Sequence, residues 1–156
     1  MGFFDKVKSI KNFVTGGGAD VFVEADPISF DKPFTVIIKA QIKDAPVSIN
    51  SAYLKIEGRE EVEVRDYDTH RHSDGSTHGH TETIRKNTAL YQNEIQVTGA
   101  QELAANGTFT WKIEIDLPKD AQPIYRGRFA RHLYWVKAGL DVPGNDPDSG
   151  WVEIRE

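Results

Sequence analysis

The feature that most constrains this chain is an alternation of period two. Phe109, Trp111, Ile113, Ile115 and Leu117 are separated by Thr110, Lys112, Glu114 and Asp116. Successive side chains of a strand point to opposite faces, so this run predicts a strand with one face on a core and one in water. Phe34, Val36, Ile38, Ala40 and Ile42 repeat the pattern, as do Ala52, Leu54, Ile56, Val62 and Val64 with Lys55, Glu57, Arg59, Glu61, Glu63 and Arg65. Further strands are predicted at 21–25, 84–97, 130–142 and 151–154. Pro, Gly, Asn and Asp clusters punctuate them, among them Asn106-Gly107 and Pro143-Gly144-Asn145-Asp146-Pro147. Strands without interleaved helices predict an all-β antiparallel sandwich. Trp111 is expected inside it, on a central strand. Leu90 falls out of step with Ile95 and Val97, which predicts a bulge or a change of sheet in that segment.

The 156 residues fit a single domain, assigned here to 19–156. The chain has no cysteine, which excludes disulfides, thiol catalysis and cysteine-held metal clusters. A net charge of −5 is a poor basis for gripping a phosphate backbone, so nucleic acid is not expected as a partner. No apolar run approaches the roughly 20 residues of a membrane-spanning helix, and the expected location is the cytoplasm.

Residues 1–15 break the period. At about 100° per residue, Phe3, Val7, Ile10 and Val14 fall on one stripe, predicting a short amphipathic helix that ends at Gly16-Gly17-Gly18. Phe3, Val7 and Ile10 are candidate docking residues, for the chain's own sheet, a second copy in a homo-oligomer, or a protein partner. With Lys6, Lys8 and Lys11 alongside, peripheral contact with an anionic membrane through 1–14 is a further use.

The C-terminal third carries a family likeness. Ile115-Asp116-Leu117-Pro118, then Ala121-Gln122-Pro123-Ile124 and Tyr125-Arg126-Gly127, resembles the end of an arrestin-type N-terminal domain. His132 to Val142, HLYWVKAGLDV, resembles that family's next strand, and Asp146 to Ile154 its closing segment. The opening Phe3-Phe4-Asp5-Lys6 is similar to that of bacterial sporulation-control proteins of the arrestin-like class. The resemblance implies a two-sheet immunoglobulin-like sandwich serving as a non-enzymatic adaptor, with no catalytic residues and no required cofactor.

Four of the five histidines lie between residues 70 and 80, around Asp74-Gly75. A long protruding hairpin centred on Gly75 would oppose His72 to His78, His70 to His80 and Asp68 to Glu82, all on one face. Converging imidazoles suit Zn²⁺ or Ni²⁺, with Asp68 and Glu82 as additional oxygen ligands, which makes a metal-binding or metal- and pH-sensing module the alternative function. The same composition also describes a solvated loop. Clustered imidazoles would, without any metal, gain charge together in mildly acidic solution and loosen the hairpin.

Two smaller signals complete the reading. Arg126, Arg128 and Arg131 flank Tyr125 and Phe129, either as a charged edge that deters aggregation or as a docking patch for an acidic partner or headgroup. His132 opens an aromatic strand and is expected at the core edge, bonded to backbone. No nucleophile motif, paired buried carboxylates or phosphate-binding glycine loop can be read, so the chain is expected not to be an enzyme.

Overall fold

The computed structural model describes residues 17–156, so the helix predicted for 1–15, with Phe3, Val7 and Ile10, lies outside the described residues. The described residues form strands and turns only. Ten strands follow in order: β1 (Ala19–Ala25), β2 (Phe34–Ile42), β3 (Val47–Ile49), β4 (Ser51–Arg71), β5 (Thr77–Thr98), β6 (Gln101–Leu103), β7 (Thr108–Ile115), β8 (Tyr125–Arg126), β9 (Ala130–Asp141) and β10 (Val152–Glu153). One sheet runs β1-β2-β7, a second runs β10-β9-β4-β5 with β8 against β9, and β3 pairs with β6. Every pairing is antiparallel.

The inner parity of each sheet supplies the core. Val21, Val23, Val36 and Ile38 come from one sheet, and Leu54, Ile56, Val136 and Leu140 from the other. These side chains are removed from water, each worth roughly 1.5–3 kcal/mol relative to exposure. Two sheets that share one apolar core make a sandwich, as the alternation required.

The fold departs from the sequence reading in three places and agrees with it in the hairpin and the bulge. Trp111 is only half-buried, because β7 is the edge of its three-stranded sheet and not a central strand. It stacks on Phe109, ring centroids 6.4 Å apart, along the rim of the core. The short strands β3, β6 and β8 carry no detectable period and are additions. The expected long hairpin is present, and β4 and β5 run as an unbroken ladder from residue 59 to its tip. The parity break at Leu90 is a bulge: Gly58 pairs with Tyr91 and Arg59 with Ala89, so Leu90 has no opposite.

The third departure is the hairpin's register. Its centre lies at Asp74 rather than Gly75, so Asp68 opposes His80, His70 opposes His78 and Asp66 opposes Glu82. The cause is the turn. Gly75 N–H donates to His72 O (3.1 Å) and His72 N–H to Ser76 O (2.8 Å), while Gly75 takes φ +88°. A three-residue loop with a left-handed glycine in third place forms, instead of a turn built symmetrically about Gly75. Moving the centre by one residue shifts each pair by two, which keeps every side chain on its expected face.

Candidate docking site at the ribbon and its root

β4 passes beyond the sandwich. Its pairing with β9 ends at Val62 opposite Ala130, whereas its pairing with β5 continues to Arg71 opposite Thr77. The distal part is therefore a two-stranded ribbon. Neighbouring residues of a strand direct their N–H and C=O groups to opposite edges. Glu63 N–H donates to Phe129 O (2.7 Å), toward the β9 side, and His72 N–H donates toward β5. Arg65, Tyr67 and Thr69 share the parity of Glu63, so they present their backbone groups to an edge that carries no strand among the described residues. β5 is itself the outermost strand of its sheet.

A groove of about 470 Å³ lies at the root of the ribbon, between Glu63, Arg85 and Lys86 on one side and Arg128, Phe129 and Arg131 on the other. The second wall is the apex between β8 and β9, closed by Gly127 N–H donating to Ala130 O (2.7 Å). Two buried side chains of β9 fix that apex. His132 Nδ1 donates to Pro123 O at 3.1 Å, and the Tyr134 hydroxyl donates to Gln122 O at 2.7 Å. Both tether the loop that leads into β8. His132 thus takes the expected backbone bond, although it is wholly buried rather than at an edge. Its ring meets Tyr134 edge to face, and Tyr125 stacks over its other side. Burial pushes the Tyr134 hydroxyl up to about 12.

The arginine cluster is not three free cations. Arg126 pairs with Glu153 and Arg131 with Glu61, both across long stretches of sequence. Arg128 is the exception: its guanidinium lies 5.2 Å from the centre of the exposed Phe129 ring, a cation–π contact at the mouth of the groove. Arg85 pairs with Glu63. The groove therefore offers Arg128, Lys86 and an aromatic ring to a ligand, while its remaining charges face one another.

Exposed apolar surface gathers in the same region. Of the seven large hydrophobic side chains exposed among the described residues, six belong to β4, β5 or the approach to β9: Val64, Tyr67, Ile84, Leu90, Tyr125 and Phe129. Val64 and Ile84 are direct cross-strand partners. Sequence reasoning missed this clustering. Val64 and Ile84 had been assigned to strands, but that the core ends before they are reached depends on where β9 begins.

Near the tip, Asp68, His70, His72, His78 and His80 share one face of the ribbon. His70 Nε2 lies 3.2 Å from Asp68 Oδ2, and the rings of His72 and His78 meet edge to face at 4.8 Å. Glu82 stands further down, opposite Asp66. No three His, Asp or Glu side chains of the described residues are already gathered in a chelating group. Asp74 Oδ1 accepts from Ser76 N–H (2.9 Å) and Ser76 Oγ (2.6 Å), and these bonds hold its carboxyl below the usual range.

No family model matches this chain, and no curated protein matches it in sequence. Among solved structures it is similar to the crystal structure of Spo0M, a sporulation control protein from Bacillus subtilis, with a TM-score of 0.59 over 89% of this chain. Identity is 18%. The likeness is one of fold. The chain spans about half of that structure, 49% of its length. The resemblance to sporulation-control proteins read from the sequence thus holds for the course of the chain. Among the described residues, no helix is long and apolar enough to cross a membrane.

Proposed function

We propose that this protein is a non-catalytic regulatory adaptor of the arrestin-like class, acting in the cytoplasm by binding a protein partner on its ribbon and the groove at its root. The observation that carries this reading is the exposed cross-strand pair Val64–Ile84 on the ribbon beyond the core, together with exposed Phe129 at the groove at its root. Large apolar side chains exposed beside a groove mark interaction surfaces. The open edge at Arg65, Tyr67 and Thr69 suits an added strand, whose backbone would supply affinity while Phe129 and Arg128 supply selectivity. The charges along that edge, Arg65, Asp66 and Arg71, guard it against indiscriminate pairing. Fold likeness to Spo0M supports the regulatory class, and fold alone does not determine function.

The test is capture of a partner from the protein's native cell extract by wild type and by a Val64→Asp, Phe129→Asp double variant. Both side chains are exposed, so the variant should melt with the wild type. Loss of a specific captured protein at unchanged melting temperature is the expected result. Equal capture by both proteins would move the docking surface elsewhere.

A further inference from the structure

The tip of the ribbon carries chemistry that partner docking does not use. Three imidazoles lie at neighbouring positions of one ladder face. His70 and His72 are two residues apart on β4, about 6.5 Å at a strand rise of roughly 3.3 Å per residue. His78 stands directly opposite His70, where facing Cβ atoms lie about 4.5–5.5 Å apart, and its ring already touches that of His72. All three are exposed and take no part in packing, so their rotamers are free to change. Asp68 lies against the Nε2 of His70, leaving that ring's Nδ1 for another ligand. The Asp74–Ser76 bonds and the left-handed Gly75 stiffen the loop that sets His72 against His78.

We propose that His70, His72 and His78 form a site for a divalent transition metal, Zn²⁺ or Ni²⁺. Each contributes one neutral imidazole nitrogen, and Asp68 acts as the positioning carboxylate on His70. Three protein nitrogens with a further position open to water is a standard zinc arrangement. A carboxylate that accepts the remaining ring N–H of a ligating histidine fixes its orientation and raises its basicity. His80 stands opposite Asp68, one pair further from the tip, and is outside the set. Ordering three exposed side chains costs rotamer entropy, which lowers the affinity below that of a site held rigid by a core.

The experiment uses the full chain without an affinity tag, stripped with chelator and titrated with ZnCl₂ and NiCl₂ by calorimetry. Co²⁺ absorption provides an independent report of coordination. One ion per chain is expected. His72→Ala with His78→Ala should abolish binding, His70→Ala should weaken it severely, and Asp68→Asn should weaken it about 10–100-fold. His80→Ala and His132→Ala should leave it nearly unchanged. Circular dichroism of each variant confirms that the sandwich is intact. No heat at micromolar metal would overturn the proposal. So would equal losses on replacing any of the four hairpin histidines, the behaviour of a histidine-rich surface without a defined site.

Discussion

The proximal and distal halves of β4 are one strand in one ladder, yet different forces hold them. From Ala52 to Ile56 every second side chain is wholly buried, and the strand is flanked on both sides. From Arg65 to Arg71 every side chain is exposed, and only β5 lies alongside. The proximal half is stabilised by apolar burial. The distal half depends on its turn and on cross-strand pairs worth about 0.2–1 kcal/mol each. A strand pair need not have a core beneath it throughout its length, and the part without one is free to vary in sequence and to serve other molecules.

The sharpest way to break this comparison is to truncate one side chain in each half. Leu54→Ala leaves a cavity at a wholly buried position and should cost about 2–5 kcal/mol in denaturant unfolding. Val64→Ala, ten residues along the same strand, should stay within about 0.5 kcal/mol. Similar costs at the two sites would mean that the ribbon is packed against something.

A second effect comes from alkaline titration of the proximal half's packing partner. Tyr134 ionises at about 12 when folded because burial penalises the phenolate. An ordinary tyrosine ionises near 10, so the folded value is raised above the unfolded one. The stability this group contributes is complete below about pH 10 and is lost as pH climbs toward 12, a slope of the linkage kind. Tyr134→Phe should lessen that slope in a stability–pH profile, at the cost of the bond to Gln122, while the Tyr53 hydroxyl, pushed up by burial and by Asp146, supplies the rest.

A third effect distinguishes two glycines. A Cβ on Gly58 would lie 2.9 Å from Tyr134 Cε1 and 3.2 Å from His132 Nε2, so Gly58→Ala should cost about 1–3 kcal/mol of global stability by overpacking. A Cβ on Gly75 meets nothing, and its cost is backbone strain at φ +88°. Gly75→Ala should leave the melting curve nearly in place and speed amide exchange only around the tip. Asp74→Ala is the smallest perturbation. It removes the bonds to Ser76 and should show in the exchange rates of the loop alone.

These contrasts also explain what could be read from the sequence. Alternation is imposed by a core, so the buried strands announced themselves, and Leu90 announced its bulge by falling out of step. Three-residue strands such as Val47–Ile49 are too short to show a period. Trp111 alternates as a central strand would, because an edge strand also has one inward face; its half-exposure follows from β7 having only one neighbour. The hairpin's face was legible and its pairing was not, since Ser-Asp-Gly can close a turn in more than one way. The partners of Arg126 and Arg131 lie 27 and 70 residues away, beyond any local pattern.

The central claim is that the distal ribbon serves binding and not folding. Its most direct test replaces residues 65–83 by a two-residue Asn-Gly turn, joining Val64 to Ile84, which are paired in the ladder and direct their backbone groups at each other. Thermal unfolding of this shortened chain and of the full chain would then be compared in one buffer. A cooperative transition within a few degrees of the full-length protein is the predicted result. A collapse of the transition, or a shortened chain that no longer folds, would show that the sandwich needs its ribbon and would contradict the account.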